Sequence, residues 1–238
     1  SHALHYASSV FEGERVYARN IFKLREHTDR LINSADIMGF KIPFTPDQID
    51  AACVQACKAN NIVDGYVRPI AWRGSEMMGV SAQETKIHLA IAVWAWPSYF
   101  SPEARNKGIS LKTSKWRRPP PESAPVHAKA AGLYMICTMS KHDAELAGYD
   151  DALMLDWRGN VVEGTGANFF MINKANVIVT PPPDCFLNGI TRQTVIQLAK
   201  DRGFEISERH IRPEELKDAL EIFVTGTAAE VTPVGKID

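Results

Sequence analysis

Apolar and polar positions recur along the chain with two different periods, which together predict a mixture of helices and strands. Residues 27–40 repeat apolar side chains at helical spacing, and residues 45–48 form a capping box with proline at the first position of a second helix. Residues 86–96 are apolar almost throughout, which predicts a mostly buried strand. The other predicted strands are 65–72, 109–116, 152–156, 161–163, 168–172, 177–180 and 221–225, and a third helix is predicted for 191–202.

Residues 97–105 interrupt this pattern, and we interpret 97–106 as a loop between two domains. The predicted domains are then residues 1–96, which are small and mixed, and residues 107–238, which are larger. Within the second domain, a proline-rich loop leads to Lys129 and to a helix after it. We find no internal repeat and no low-complexity tract.

The composition is that of an ordinary globular protein, with 45% hydrophobic and 23% charged residues among 238. A net charge of −1 gives no reason to expect nucleic acid or an acidic membrane as a partner. The longest apolar run, residues 89–96, is too short to span a bilayer. No secretory signal pattern is visible, although the chain begins at Ser1 rather than methionine, which leaves open that a segment preceding it was removed.

The four cysteines predict neither a disulfide framework nor a metal site, because no Cys-x-x-Cys pair occurs. Reduced thiols in a cytoplasmic protein are the expectation. His2 and His5 stand three residues apart, which is a weak signal for a metal ion, and our prediction is that no metal is bound.

Lys129 is the first candidate for chemistry, because residues 126–134 around it have small or apolar side chains and almost no other charge. If this segment were helical, Lys129 would share an apolar face with Leu133 and Ile136. A buried ammonium group tends to lose its proton, so we expect burial and nearby positive charge to lower the pKa of this lysine. A neutral amine can form a Schiff base with a carbonyl cofactor. The alternative is a lysine near a helix end whose ammonium group lies in water.

Four further features have both a structural and a functional interpretation. Glu163 before Gly164-Thr165-Gly166 is either a solvated hairpin residue or a carboxylate facing a pyridine nitrogen. The start of the third helix at residues 189–191 is either a plain capped turn or a phosphate site. Residues 225–229 are either a strand-to-helix turn or a second set of phosphate donors, and Arg30 is either an exposed helix residue or a phosphate ligand. Together they are the parts that a pyridoxal phosphate site requires.

Eight segments in order along the chain carry a family resemblance. They are residues 2–6 (HALHY), 11–15 (FEGER), 25–31 (REHTDRL), 66–69 (YVRP), 128–130 (AKA), 163–168 (EGTGAN), 189–192 (GITR) and 226–230 (GTAAE). With these segments the chain resembles the fold type IV pyridoxal-phosphate aminotransferases, and among them the branched-chain amino acid aminotransferases. The resemblance implies a two-domain α/β (α+β) fold like that of D-amino acid aminotransferase, with a small mixed α/β domain and a larger pseudo-barrel domain that binds the cofactor. It also implies a cytoplasmic homodimer or higher homo-oligomer.

The resemblance implies a role for each matching residue. Lys129 would be the catalytic residue and hold pyridoxal 5'-phosphate as a Schiff base, Glu163 would pair with the ring nitrogen, and Tyr134 would bind the ring hydroxyl. The phosphate would be held by Arg30, Ile190, Thr191 and Thr227, and Gly166 and Gly226 would line the cofactor. The substrate residues would be Tyr6 (from a second subunit), Phe11, Gly13, Arg15, Arg68, Trp96, Tyr99, Thr227 and Ala228, with Arg15 and Arg68 handling the second carboxylate of glutamate.

The implied reaction moves the amino group of leucine, isoleucine or valine to 2-oxoglutarate in a ping-pong cycle. A D-amino acid or (R)-amine transaminase, an aminodeoxychorismate lyase and a cofactor-binding protein without catalysis are the alternatives. Residues 66–68 favour branched-chain substrates, whereas Ala167 departs from the glutamate that many branched-chain enzymes carry there. Family members usually run further at both ends, so we expect the functional protein to be longer.

Overall fold

The structure is a computed structural model that describes residues 1–96, 100 and 102–238. The helices are α1 (His2–Tyr6), α2 (Leu24–Ile37), α3 (Pro46–Ala59), α4 (Pro102–Lys107), α5 (Tyr134–Leu146) and α6 (Ile190–Asp201), with 3-10 helices at Ala131–Leu133 and Pro213–Asp218. The strands are β1 (Ser9–Phe11), β2 (Glu14–Tyr17), β3 (Asn20–Ile21), β4 (Gly65–Arg73), β5 (Ile87–Ala95), β6 (Ile109–Arg118), β7 (Asp151–Asp156), β8 (Val161–Glu163), β9 (Asn168–Ile172), β10 (Ile178–Thr180), β11 (Ile206–Glu208), β12 (Glu221–Gly226) and β13 (Glu230–Ile237).

The described residues divide into two compact units. The first contains residues 1–96 together with 127–134, and the second contains the rest. Residues 127–134, which include Lys129, are thus grouped with the N-terminal part of the chain. The predicted boundaries at 96 and 107 stay a prediction of domain organisation.

The first unit is an antiparallel sheet whose order is β1-β4-β2-β3, with β5 pairing β4. Helices α2 and α3 pack on it around a core that includes the fully buried Leu31, Ile49 and Val67. The predicted capping box starts α3, because the Thr45 hydroxyl accepts from the Gln48 backbone N–H at 3.3 Å and the Gln48 side chain accepts from the Thr45 N–H at 2.8 Å.

The prediction of a mostly buried strand at residues 86–96 is wrong. In β5 the burial alternates, with Ile87, Leu89 and Ile91 packing partly buried on the core and the residues between them exposed. Two of the exposed residues are Ala90 and Ala92. Because their side chains are apolar, the sequence pattern predicted burial at these positions as well.

The second unit is built on an eight-stranded sheet that closes on itself. Six strands form the closed ring in the order β9-β12-β13-β6-β7-β8, since β8 also pairs β9, and β10 and β11 continue the sheet from β9. Buried apolar side chains fill its core, among them Leu111, Leu153 and Phe169. The predicted mixed fold with a barrel-like larger domain is confirmed.

Most predicted elements are present within a few residues of their expected ends, but several short ones were missed. Helix α4 lies in the segment expected to be an interdomain loop, of which residues 97–99 and 101 lie outside the described residues. Strand β13 escaped prediction because Pro233 and Gly235 interrupt its alternation. No helix in the described part of the chain combines the length and the apolar character that a membrane crossing requires.

Candidate active site

Lys129 is held through its backbone by two elements of the first unit. Its N–H donates to the Ser34 hydroxyl of α2 at 3.0 Å, and its carbonyl accepts from the Phe11 N–H of β1 at 3.1 Å. The next residue, Ala130, forms an isolated bridge with Val10. The segment is therefore extended at Lys129 rather than helical, and the predicted helix begins only after it.

The amine of Lys129 lies among aromatic rings in a partly buried position. Its Nζ donates to the Tyr134 hydroxyl at 2.7 Å and lies 4.8 Å from the centre of the Phe11 ring. Burial and the Arg30 charge lower the pKa of Lys129, but the Tyr134 oxygen and the Glu12 carboxylate outweigh them and raise that pKa above its ordinary value. The expected lowering is thus wrong for this arrangement: the Tyr134 oxygen raises the pKa most, and a negative group that the prediction lacked adds to it.

That negative group is Glu12, which is fully buried and accepts from two side chains of α2. Its Oε1 accepts from Arg30 Nε at 2.6 Å, and its Oε2 accepts from Arg30 Nη2 at 2.8 Å and faces His27 Nδ1 at 2.6 Å. Burial raises the pKa of Glu12, but the Arg30 and His27 contacts prevail and lower it to about 2. Arg30 is therefore ion-paired and mostly buried, which contradicts its interpretation as an exposed helix residue.

The sequence prediction missed Glu12 and His27 as parts of the site, although both lie in the quoted segments 11–15 and 25–31. A signal was present, since positions 27, 30 and 34 share one face of a helix and carry three polar side chains. All three face groups of this site: His27 and Arg30 contact Glu12, and Ser34 binds the Lys129 backbone.

Several of the predicted substrate residues meet in an aromatic cluster on the same sheet. The Arg68 guanidinium lies 5.3 Å from the Phe11 ring centre and 5.4 Å from that of Tyr66, and the Tyr66 and Trp96 rings are 4.8 Å apart. An added Cβ at Gly13 would collide with the Tyr66 hydroxyl, so glycine leaves the space that the Tyr66 ring occupies.

Three other predicted substrate residues have different surroundings. Arg15 is buried and pairs in register with Tyr66, so it lies beside the aromatic cluster. Tyr6 is exposed on α1 and donates to the carbonyl of Met78, in the segment between β4 and β5, at 3.2 Å. Tyr99 lies outside the described residues.

The N-terminal histidines do not form a metal site with other ligands in the part of the chain that is described. No group of three or more histidine, cysteine or acidic side chains there could hold an ion. The buried His2 contacts the Ser8 hydroxyl at 2.6 Å and the Gly79 carbonyl at 3.1 Å, which accounts for both of its ring nitrogens.

In the second unit, Glu163 ends β8 as a buried, ion-paired residue rather than a solvated one. Its Oε1 lies 3.2 Å from Arg118 Nε, and its Oε2 accepts from Asn168 Nδ2 at 3.4 Å. Asn168 also donates to the Leu187 carbonyl at 3.2 Å, just before the turn that starts α6. Asn168 therefore ties the predicted pyridinium partner to the predicted phosphate turn.

Each of the two predicted phosphate turns contains a glycine that another residue approaches closely. Gly189 is the N-cap of α6, where Ile190 and Thr191 are the first residues, and an added Cβ there would collide with the Asn168 side chain. Residues 227–229, which include Thr227 and Ala228, connect β12 to β13, so they form a hairpin and not a strand-to-helix turn.

Gly226, at the end of β12, lies against Gly166, whose carbonyl oxygen would be 3.1 Å from an added Cβ. The Thr225 hydroxyl beside it is fully buried without a hydrogen-bond partner among the described residues. A buried hydroxyl, glycine-lined turns and the N-terminus of a twelve-residue helix suit a phosphate group. The residues present fit pyridoxal phosphate.

Comparison with known proteins gives a consistent result. The profile of the family described as amino-transferase class IV matches residues 9–237. A probable branched-chain-amino-acid aminotransferase of Rickettsia conorii is 45% identical over 238 residues, which is all of this chain and 80% of that protein. The corresponding enzyme of Pseudomonas aeruginosa is 43% identical and is covered to 78%.

Among solved structures, the branched-chain amino acid aminotransferase of Escherichia coli superposes with a TM-score of 0.96 at 38% identity, over all of this chain and 80% of that one. Another branched-chain amino acid aminotransferase, solved with pyridoxamine 5'-phosphate, superposes with a TM-score of 0.96 at 42% identity, over all of this chain and 79% of that one. The resemblance found in the eight sequence segments is confirmed over the length of the chain. This chain belongs to the amino-transferase class IV family.

Proposed function

We propose that this protein is a pyridoxal phosphate-dependent transaminase that moves the amino group of branched-chain L-amino acids to 2-oxoglutarate in a ping-pong cycle. The names of its relatives support the substrate class. The observation that carries the proposal is the Lys129 amine, which is held between the Tyr134 hydroxyl and the Phe11 ring with its backbone anchored on both sides. Such an amine is positioned both to bind a carbonyl carbon and to move a proton.

The cofactor, when bound, supplies a protonated ring that accepts electrons from the substrate's Cα. Lys129 would hold the cofactor through its Nζ and, as a free amine, would move the proton at the substrate's Cα, a role worth about 10²–10⁴ in rate. The Tyr134 hydroxyl, which accepts from Nζ at 2.7 Å, holds the amine in this position.

The remaining cofactor roles follow the family assignment. Glu163, which is ion-paired with Arg118, would face the ring nitrogen. The phosphate would bind to Arg30 and to Ile190, Thr191 and Thr227, with Gly166 and Gly226 lining the cofactor. Tyr134 would bind the ring hydroxyl.

The substrate side chain would lie against Phe11, Gly13 and Trp96, which belong to the aromatic cluster. One methylene changes discrimination in an apolar pocket by only about 1–3 kcal/mol, so leucine, isoleucine and valine are expected to react alike. Arg15 and Arg68 would bind the second carboxylate of glutamate, with Arg68 already among aromatic rings that leave its charge available to an anion. Thr227 and Ala228 would bind the substrate's α-carboxylate, and Tyr6 and Tyr99 would complete the pocket.

The expected assembly is a cytoplasmic homodimer or higher homo-oligomer in which Tyr6 reaches the pocket of a second subunit. The exposure of Tyr6 is compatible with that role. Light scattering of the purified protein would measure the mass of the assembly, and a monomer would remove the role given to Tyr6.

The direct test is the absorption spectrum of the protein reconstituted with pyridoxal phosphate, before and after addition of L-leucine. The yellow band should form and then be lost on addition of L-leucine, whereas Lys129→Ala should lose at least about 10²-fold in turnover. Lys174→Ala is the matched control, because Lys174 is exposed and pairs with Asp218 at 2.8 Å.

The same spectra separate the alternatives. A band that ignores L-leucine but responds to a D-amino acid or an (R)-amine would replace the substrate class. Release of pyruvate from aminodeoxychorismate without a keto-acid acceptor would indicate the lyase. Near-normal turnover by Lys129→Ala would contradict the proposal as a whole.

A further inference from the structure

The carboxylate of Glu12 is fully buried, and three residues of the first unit contact its oxygens. Arg30 donates to both of its oxygens, at 2.6 and 2.8 Å, and the Gly13 backbone N–H donates to Oε2 at 3.3 Å. His27 faces the same Oε2 with its Nδ1 at 2.6 Å. Every one of these partners lies in the first unit, on β1–β2 or on α2.

The state of His27 follows from these contacts. Burial, together with the charges of Arg30 and Lys129, lowers the pKa of His27 below its ordinary value despite the contact with Glu12, so the imidazole is neutral at neutral pH. Since its partner is a carboxylate, Nδ1 carries the hydrogen and donates it. Glu12 thus remains charged, and its single charge is matched by that of Arg30.

The contact with Arg30 is bidentate, which determines the plane of the guanidinium as well as its position. An arginine has several rotatable bonds, and ordering it for a ligand costs conformational entropy unless another group has already done so. Here Glu12 orders the Arg30 side chain before a ligand binds.

We propose that Glu12 is a positioning residue that holds the Arg30 guanidinium in the orientation in which it binds the cofactor's phosphate, and that His27 holds Glu12 in turn. This inference rests on the proposed function, which gives Arg30 the phosphate. Glu12 itself touches neither the phosphate nor the reacting atoms.

The substitution Glu12→Gln tests the role of the charge and the bidentate geometry at nearly constant volume. Glutamine offers one acceptor oxygen and an NH₂ group, and because Arg30 donates to both carboxylate oxygens, that NH₂ would face an N–H of Arg30 in either orientation of the amide. Two donors in contact repel each other, so the guanidinium must leave its position.

The measurement compares the dissociation constants of pyridoxal 5'-phosphate and of pyridoxal, which lacks the phosphate, for the cofactor-free protein. Glu12→Gln should weaken pyridoxal phosphate about 10- to 100-fold, as expected for loss of a charge-assisted hydrogen bond, and change pyridoxal by less than about threefold. Any effect of Glu12 on the charge of Lys129 acts on both compounds and cancels in the ratio.

Glu14→Gln is the matched control, because Glu14 is a buried glutamate of the same segment for which no hydrogen bond is found in the described residues. It should leave the ratio of the two dissociation constants unchanged. In an Arg30→Gln background, the effect of Glu12→Gln on that ratio should disappear, since Glu12 acts through Arg30.

Equal weakening of both compounds by Glu12→Gln, or weakening of neither, would overturn the inference while leaving the proposed function in place. Failure of the unsubstituted protein to bind either compound would overturn the proposed function instead. If Glu12→Gln does not fold, Glu12→Asp keeps the charge but shortens the reach, and it must still weaken pyridoxal phosphate more than pyridoxal.

Discussion

Glu12 and Glu14 are separated by one residue, and both are fully buried, yet they have opposite charge states. Burial raises the pKa of both carboxyls. At Glu12 the contacts with Arg30 and His27 reverse this effect and bring the pKa to about 2. At Glu14 the negative charges of Glu12 and Asp50 add to it and bring the pKa to about 9. Burial alone therefore does not decide whether a carboxyl group is charged; its partners do.

The difference arises from where the two side chains point. Glu14 begins β2, and because strand residues alternate between faces, it shares a face with the core residue Val16. Its two oxygens have no hydrogen-bond partner in the described residues. Glu12 lies just before the strand, where it can turn to the polar face of α2. The charged Glu12 carboxylate belongs to the candidate active site, whereas the Glu14 carboxyl lies in the core as a neutral group.

The largest expected effect is the loss of protein stability when the charged Glu12 is replaced. Glu12→Ala would leave the mostly buried Arg30 charge without its carboxylate, and removing one partner of a buried ion pair costs about 3–5 kcal/mol. Urea denaturation at pH 7 would measure this as a lower free energy of unfolding. A loss below about 1 kcal/mol would mean that Arg30 finds another partner, and the contrast with Glu14 would fail.

The neutral Glu14 carboxyl should make the free energy of unfolding depend on pH. Between pH 4.5 and about 9 the unfolded chain releases the Glu14 proton while the folded protein retains it, so stability falls as pH rises, by about 1.4 kcal/mol per pH unit. Glu14→Gln removes this titration. Between pH 5 and pH 8, the free energy of unfolding of this variant should therefore increase relative to that of the parent by roughly 3–4 kcal/mol. Parallel pH profiles for the two proteins would show that Glu14 is charged in the folded state.

The sequence predicted neither side of this comparison. Lys129, Arg30 and Glu163 were identified from their residue types and surroundings, and each also stands in a segment that the family shares. Glu12 lies in such a segment too, but its role depends on its contact with α2. Glu12 and Arg30 are far apart in sequence, so the sequence pattern does not show that they pair. Alternation along residues 12–16 could not show which of the two glutamates faces a cation.

The fold was predictable to a similar degree. The predicted start of α3 and the predicted bounds of β4 lie close to the observed ones. The closed ring of the second unit could not be derived from periodicity, because it depends on which strands pair across long stretches of chain, as β8 does with β9 and β6 with β13. Its expectation came from the family resemblance alone.

The smallest expected effect is that of replacing His27. This substitution tests the comparison further, because it removes one hydrogen-bond donor to Glu12 and leaves the Arg30 cation in place. Because the folded-state pKa of Glu12 is depressed, its contribution to stability is present above pH 4.5 and is lost as pH falls towards about 2. His27→Leu removes one donor, so the stability should fall by about 1–3 kcal/mol at neutral pH and acid unfolding should begin at a higher pH. His27→Asn is the control, because its amide can place a donor where Nδ1 lies and should retain part of both. If the two variants unfold at the same pH as the parent, Arg30 alone sets the charge of Glu12, and the role of His27 in the inference is wrong.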